Sequence, residues 1–362
     1  MDYKSEFKER LSKLLFLEVD WNGFKRNVNI PSNISIKTED LYIPISSKYL
    51  ASHAGDELRL NNLPIYYFIE GMLIALGADD SLRYSEDYII VLNNIKESED
   101  CGKALVAAKI KEDNFIEAYL LIKGLCIATG NEEYYKKLLL VGEALKEKDK
   151  GFTDILLSDI ESCKVEFSDM SDPYLYKTLI LKEKGDFEAA KVEIHEYINK
   201  GGEVTKQVEE ILKDIDNVTT YDKAIELLDE SPEKSIGMLL GLLDNFQKNP
   251  LIYYYIAVGY RKLENYEKAI YYLNESLSID SGILEVVNEM GVNYACLGDF
   301  EQALAYFKKA FEAAKDVESC TNIIMCYLNM GNEEQAKLHL DIAKKIKPDD
   351  EIVQQIDRMF AK

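Results

Sequence analysis

Apolar residues between positions 250 and 350 recur at intervals of three and four, which predicts pairs of amphipathic helices whose apolar faces meet. The pattern itself returns, because Tyr260 is followed by Tyr294 and Tyr327 at steps of 34 and 33 residues. A unit of this length cannot bury its apolar face alone. Three consecutive copies therefore predict helical hairpins that stack on one another.

Small residues and turn residues recur at the same steps. Ala269, Ala303 and Ala336 each stand at the same place in the second helix of a unit, where a small side chain lets the two helices approach closely. Turn signals stand between the two helices of each unit, at Glu264-Asn265, Gly298-Asp299 and Gly331-Asn332. Periodicity and turn chemistry thus predict the same hairpins.

The repeated positions resemble the tetratricopeptide repeat family, whose pattern is W-x2-L-G-x2-Y in the first helix and A-x3-F in the second. The matching residues are Tyr253, Ile256, Ala257, Tyr260, Ala269, Leu273 and Ser276 in the first unit, Val287, Met290, Gly291, Tyr294, Ala303, Phe307 and Ala310 in the second, and Cys320, Ile323, Ile324, Tyr327, Ala336, Leu340, Ala343 and Pro348 in the third. No unit has the tryptophan, and only the third has the closing proline. The resemblance implies an all-α fold, a right-handed α-solenoid of stacked helical hairpins.

Four segments are predicted along the chain. They are an irregular, partly extended N-terminal segment with a leading helix at 1–61, divergent repeats of the same kind at 62–249, three clear repeats at 250–350 and a capping helix at 351–362. The capping helix is expected to place its apolar residues on one stripe, namely Ile352, Val353, Ile356, Met359 and Phe360.

Weaker patterns fill the first two segments. Hairpins similar to the clear repeats are expected at 115–138 and 174–198, and residues 204–229 form either one long helix, which we favour, or two helices broken near 216–218. Gly237 and Gly241 are expected to permit a tight crossing between stacked helices.

A small β-hairpin is the expectation for the N-terminal segment. Its strands would run through Ile34 and Ile36 and then through Leu41, Ile43 and Ile45, where apolar residues alternate on either side of a polar run.

Charge and composition exclude several classes of partner. The 362-residue chain has a formal net charge of −22, so its surface repels phosphate backbones and nucleic acid is not expected as a partner. Its most apolar stretches are shorter than the roughly 20 residues that span a bilayer, so no membrane span is expected. The first 15 residues lack a secretory signal, and the six cysteines form no CxxC. Reduced thiols and a cytoplasmic location are therefore predicted.

Residues that would indicate catalysis or cofactor binding are few. His53, His195 and His339 are far apart and have no metal-binding spacing, and no glycine-rich phosphate-binding motif occurs. We predict no catalytic residues, no metal and no cofactor, and therefore a protein that is not an enzyme. A minor alternative assigns an enzymatic or assembly function to the first 60 or so residues, with His53 as the candidate catalytic group.

In the resembled family, positions 2, 5, 9 and 12 of each first helix line a concave groove that holds a partner. The corresponding residues predicted to bind a partner here are Leu251, Tyr254, Val258, Arg261, Asn288, Val292, Ala295, Thr321, Met325 and Leu328, with Glu285 and Glu318 at the remaining two positions. The basic pattern with which some family members clamp a C-terminal carboxylate is missing. A mostly apolar lining favours an amphipathic helix or an extended segment of another protein.

The predicted function is that of a non-enzymatic scaffold or adaptor that binds a protein or peptide in this groove. The alternative is a peptide-sensing regulator that changes conformation when its ligand binds, although no N-terminal helix-turn-helix for DNA binding is evident. Coverage of the groove by the chain's own N-terminal segment is a further possibility. The sequence leaves the partner and the oligomeric state open.

Overall fold

The structure is a computed structural model that describes residues 2–46 and 64–360. The chain forms two compact units, Met1–Val208 and Glu209–Lys362. The boundaries of the four predicted segments lie at other positions than this division, and they remain predictions. Most described residues are helical, and the predicted fold of stacked helical hairpins is confirmed.

Helices dominate the N-terminal unit. Its described elements are α1 (Tyr3–Ser12), β1 (Leu14–Val19), α2 (Trp21–Asn27), β2 (Leu41–Ser46), α3 (Ile65–Ala78), α4 (Ser85–Asn94), α5 (Ser98–Lys111), α6 (Phe115–Thr129), α7 (Glu132–Lys148), a 3₁₀ turn (Lys150–Phe152), α8 (Thr153–Glu166), α9 (Asp172–Lys184) and α10 (Phe187–Asn199).

Strands β1 and β2 form the two-stranded antiparallel sheet of this unit. The predicted hairpin is wrong in its first strand, because β2 pairs with Leu14–Val19 and not with the stretch through Ile34 and Ile36. The buried carboxylate of Asp87 explains the difference. It accepts hydrogen bonds from the backbone N–H groups of Lys37 (2.6 Å) and Thr38 (3.3 Å), which holds the polar run in a loop against α4.

The core of the N-terminal unit is built around α6, which is buried on nearly all sides and packs against α3. Two glycines allow the backbones to touch: a Cβ on Gly77 would lie 2.0 Å from the Leu120 carbonyl oxygen, and one on Gly124 would lie 2.1 Å from that of Leu73. The leading helix α1 was predicted. It packs on the same core, where the Phe7 ring stacks on that of Tyr119 at 5.6 Å.

The C-terminal unit begins within one long helix, as favoured from the sequence. Its elements are α11 (Lys206–Glu226), which starts at the end of the N-terminal unit, α12 (Pro232–Leu242), α13 (Pro250–Lys262), α14 (Tyr266–Ile279), α15 (Leu284–Cys296), α16 (Phe300–Ala314), α17 (Val317–Asn329), α18 (Glu333–Ile346) and α19 (Glu351–Phe360).

In the C-terminal unit, the two helices of each predicted hairpin pack together along their apolar stripes. The next hairpin then packs against them. Ala269, Ala303 and Ala336 have no exposed surface, as the repeat pattern predicts. Stacked rings recur at equivalent places, with Tyr260 on Tyr272 at 5.5 Å and Tyr294 on Tyr306 at 5.6 Å. The apolar core therefore continues from one hairpin to the next, as in other repeat proteins.

The predicted turns of the clear repeats are confirmed. Glu264, Gly298 and Gly331 adopt positive φ angles of 59°, 81° and 73°, and the residue that follows each one caps the second helix. The hairpins expected at 115–138 and 174–198 also form. Gly185 has a φ of 79°, and the Asp186 side chain caps α10. The same local chemistry thus ends and begins helices in both units.

Two expectations about this unit are wrong or only partly right. A Cβ on Gly237 or Gly241 would meet nothing within 4 Å, so these glycines permit no tight crossing. In the capping helix, Val353 and Ile356 are buried, but Ile352 and Met359 are 53% and 63% exposed. The buried stripe of α19 is therefore narrower than predicted, because only one side of this last helix contacts α18.

Candidate functional site

The ten residues predicted to bind a partner lie on α13, α15 and α17, the first helices of the three clear repeats. We call the surface that these residues form the first-helix face. Leu251 and Met325 are its most exposed apolar side chains, at 39% and 44%. Val258 and Thr321 are buried and offer little surface to a partner. The other six are half-buried: Tyr254, Arg261, Asn288, Val292, Ala295 and Leu328.

Side-chain bonds join neighbouring first helices across this face. The Arg261 Nε of α13 donates a hydrogen bond to the Glu289 Oε1 of α15, and the two groups form an ion pair. The Asn322 Nδ2 of α17 lies 3.5 Å from the Asn288 Oδ1 of α15, at the outer limit of a hydrogen bond. These bonds join the first helices that a partner would contact.

A buried polar network lies behind the face. Glu289 is 7% exposed and Asn293 is fully buried. The Asn293 Nδ2 donates to the Glu289 backbone oxygen at 2.8 Å and to its Oε1 at 3.2 Å, while the Asn293 Oδ1 has no hydrogen-bond partner. Because the carboxylate is shared between Arg261 and Asn293, its charge is compensated although it is nearly out of water.

Sequence reasoning missed Glu289, Asn293 and Asn322 as members of this site. One signal was present, since Glu289 and Asn293 stand four residues apart on a helix and therefore share a face with the apolar stripe. Arg261 could not have been matched to Glu289, because the two are 28 residues apart and on different hairpins.

A depression of about 570 Å³ opens at the beginning of α13 and α15. Its lining is formed by Asn249, Pro250, Leu251, Tyr254, Tyr255, Ile283 and Glu285. The rings of Tyr254 and Tyr255 lie 5.1 Å apart at 64° to each other. Two predicted residues, Leu251 and Tyr254, thus contribute to a concave site together with the carboxylic acid Glu285.

The electrostatic surroundings of Tyr254 are negative. Burial raises the pKa of its phenol, and the carboxylates of Glu289 and Glu285 raise the pKa further, while the charge of Arg261 acts in the opposite direction. Of these two carboxylates, Glu289 is paired with Arg261, and Glu285 lies in the lining of the depression.

The three histidines lie far apart in the sequence, and the structure describes two of them, His195 and His339. His53 lies outside the described residues. His195 is exposed, and His339 is half-buried, with its ring 5.2 Å from the Tyr327 ring. No group of three metal-binding side chains occurs among the residues described. No helix in that same part of the chain is long and apolar enough to cross a membrane.

Helical hairpins stacked through small residues and joined across one face define a helical-repeat protein. Residues 297–356 match the family model described as tetratricopeptide repeat. The predicted resemblance to this family is thereby confirmed, and the match itself lies in residues 297–356. No curated protein sequence matches the chain.

Several solved structures are similar to the chain at low identity. YrrB, described as a tetratricopeptide repeat protein with an unusual peptide-binding site, is 18% identical over 55% of this chain and 97% of its own, with a TM-score of 0.37. The MamA protein is 16% identical over 49% of this chain and 92% of its own, with a TM-score of 0.37. PilW, a type IV pilus biogenesis factor, is 14% identical over 62% of this chain and 99% of its own, with a TM-score of 0.39.

Proposed function

We propose that the C-terminal unit is a protein-interaction module whose first-helix face binds an extended or helical segment of a partner protein. Tetratricopeptide repeats are a class in which stacked hairpins display a binding surface. The observation that carries the proposal is the depression lined by Leu251 and Tyr254, which leaves apolar and aromatic surface open to a partner. Aromatic residues in such concave places are the usual centres of binding energy.

Exposed apolar surface continues along the same face beyond the depression. Met325 of α17 is 44% exposed, and its unbranched side chain adapts to the shape of a partner. Asn288 lies on α15, the helix between α13 and α17, and provides a polar group for a partner backbone. A segment that contacted all three helices would bury an apolar side and find hydrogen bonds at one polar position.

The experiment is a comparison of the full chain with a triple variant, Tyr254→Ala, Asn288→Ala and Met325→Ala. Both proteins, carrying an affinity tag, are exposed to native cytoplasm, and the captured proteins are quantified by mass spectrometry. The matched control is Tyr271→Ala, Asn274→Ala and Leu338→Ala, three exposed residues on the second helices α14 and α18. Far-UV circular dichroism checks that all three proteins keep their helices.

Selective loss of particular proteins from the first-helix variant, with retention by the control, supports the proposal. If the wild type and the first-helix variant capture the same proteins in equal amounts, the face is not the binding site. A scaffold or adaptor role and a cytoplasmic location are part of the proposal. Six free cysteines, four of them buried, support that location. A peptide-sensing regulator remains the alternative, and small-angle scattering would detect its ligand-dependent change in radius.

A further inference from the structure

The residues around the depression indicate which side chain of a partner it accepts. This step rests on the proposed function, because it concerns the same face. Apolar surface comes from Leu251 and Ile283, aromatic surface from Tyr254 and Tyr255, and a single charged side chain from Glu285. Aromatic rings next to a carboxylate attract cations, because the ring face and the carboxylate are both negative.

The charges of the site are not balanced from within. The charge of Arg261 acts on the Tyr254 phenol, but its guanidinium is already paired with Glu289. In the part of the chain that the structure describes, neither Glu285 nor Glu318, which stands at the equivalent place in the next repeat, forms an ion pair with a lysine or arginine. Both carboxylates are on exposed residues. Their charge is therefore available to a partner.

We propose that this depression binds the side chain of a lysine or arginine in the partner segment. The alkyl part of that side chain packs on Leu251, Ile283 and the tyrosine rings, as long basic side chains do when they cover apolar surface. Its charged end lies between the ring faces and the Glu285 carboxylate, and the rest of the segment follows the first-helix face. The preferred partner segment is thus apolar with a basic residue at one defined place.

The depression is large enough for this occupant. A volume of about 570 Å³ accommodates one long side chain together with the water around its charged end. A helix first turn also favours a carboxylate such as that of Glu285 without any ligand. If Glu285 served only to stabilise the start of its helix, the protein would show no preference between peptides. Binding measurements therefore distinguish this structural role from recognition of a ligand.

The test uses four fluorescein-labelled peptides of eleven residues with an amidated C-terminus. They share an alanine and leucine host sequence and differ at the central position, which is Lys, Arg, Met or Glu. Binding to the full chain is measured by fluorescence anisotropy at low salt. We expect the Lys and Arg peptides to bind about tenfold more tightly than the Met peptide, and the Glu peptide to bind most weakly. Added salt should shrink these differences because the carboxylate is exposed.

Variants identify the group responsible. Glu285→Gln should reduce the Lys and Arg peptides to the affinity of the Met peptide. Glu312→Gln removes the same charge from an exposed residue of α16 and should leave the preference intact. Tyr254→Phe keeps the ring and should retain the preference, whereas Tyr254→Leu should lose most of it.

The outcomes separate this inference from the proposed function. Equal binding of all four peptides to the wild type, with weaker binding to the Tyr254, Asn288 and Met325 triple variant, overturns the basic-side-chain inference and leaves the proposed function standing. A Lys preference that is as strong in Glu285→Gln as in the wild type also overturns the inference. Affinities that are unchanged in the triple variant, or no binding of any peptide, overturn both.

Discussion

Replacing Gly291 with alanine should destabilise the C-terminal unit, although alanine is the better helix former. Gly291 lies in α15 where the Phe307 ring of α16 packs against its backbone. A Cβ at this position would lie 2.6, 2.8 and 2.9 Å from three ring carbons, closer than carbon atoms pack in proteins. Because the ring is itself nearly buried, it cannot move aside freely.

The magnitude follows from two opposing contributions. Overpacking a core by one methyl group costs about 1 to 3 kcal/mol. Alanine in place of glycine within a helix gains about 0.8 to 1.0 kcal/mol. The expected net change is a loss of about 1 kcal/mol in the free energy of unfolding.

Gly237→Ala is the matched control, because Gly237 is an exposed helical glycine of the same unit and a Cβ there would meet nothing within 4 Å. That variant should gain the full helix-propensity contribution, so the two variants should differ by about 1 to 3 kcal/mol. A second-site change gives an independent check. Phe307→Leu should relieve Gly291→Ala, because the equivalent pair in the preceding repeat is Ala257 with Leu273, both fully buried.

The assay is urea unfolding of the full chain followed by far-UV circular dichroism. The circular dichroism signal sums the unfolding of both compact units of the chain. Hydrogen exchange of the amides in α15 and α16 is therefore measured as well, because it reports on the unfolding of these two helices alone. Equal stability of Gly291→Ala and Gly237→Ala would refute the reasoning, since it would mean that the ring yields without cost.

Three further predictions concern the turns and one tyrosine. Gly298→Ala should lower the free energy of unfolding by about 1 kcal/mol in urea, because the φ of 81° at this position disfavours a side chain. Glu264 has a φ of 59° at the equivalent turn of the preceding repeat, so Glu264→Gly should raise the free energy of unfolding by up to about 1 kcal/mol. Asp299→Ala removes the hydrogen-bond acceptor for the first turn of α16 and should lower the free energy of unfolding by about 0.5 to 2 kcal/mol in the same assay. No loss of stability would contradict this prediction, because it would mean that water replaces the cap fully. Burial, with smaller contributions from Tyr255 and Asp222, raises the pKa of Tyr221 to about 12. The neutral phenol therefore stabilises the fold fully below pH about 10, its unfolded pKa, and this contribution is lost as the pH rises towards 12. Tyr221→Phe should retain a larger share of its neutral-pH stability at pH 11.5, and equal losses in the two proteins would contradict the assignment.

The sequence alone determined the hairpins of the clear repeats. Tyr260, Ala269 and the turn at Glu264 fall within one unit, so their spacing and turn chemistry act locally and repeat at a fixed period. The ends of these helices could be predicted for the same reason, because a residue at positive φ followed by a capping side chain is a short-range signal.

Only the tertiary structure decided which distant residues meet. The pairing of β1 with β2, the ion pair of Arg261 with Glu289 and the contact of Gly291 with Phe307 each join residues on different elements. Gly291 stands at a position of the repeat pattern and Gly237 does not, but only packing shows that the Phe307 ring fills the space beside Gly291 and that the space beside Gly237 is open. The depression beside Tyr254 arises in the same way, because its lining comes from two neighbouring repeats whose spacing is set by the stacking of their apolar cores.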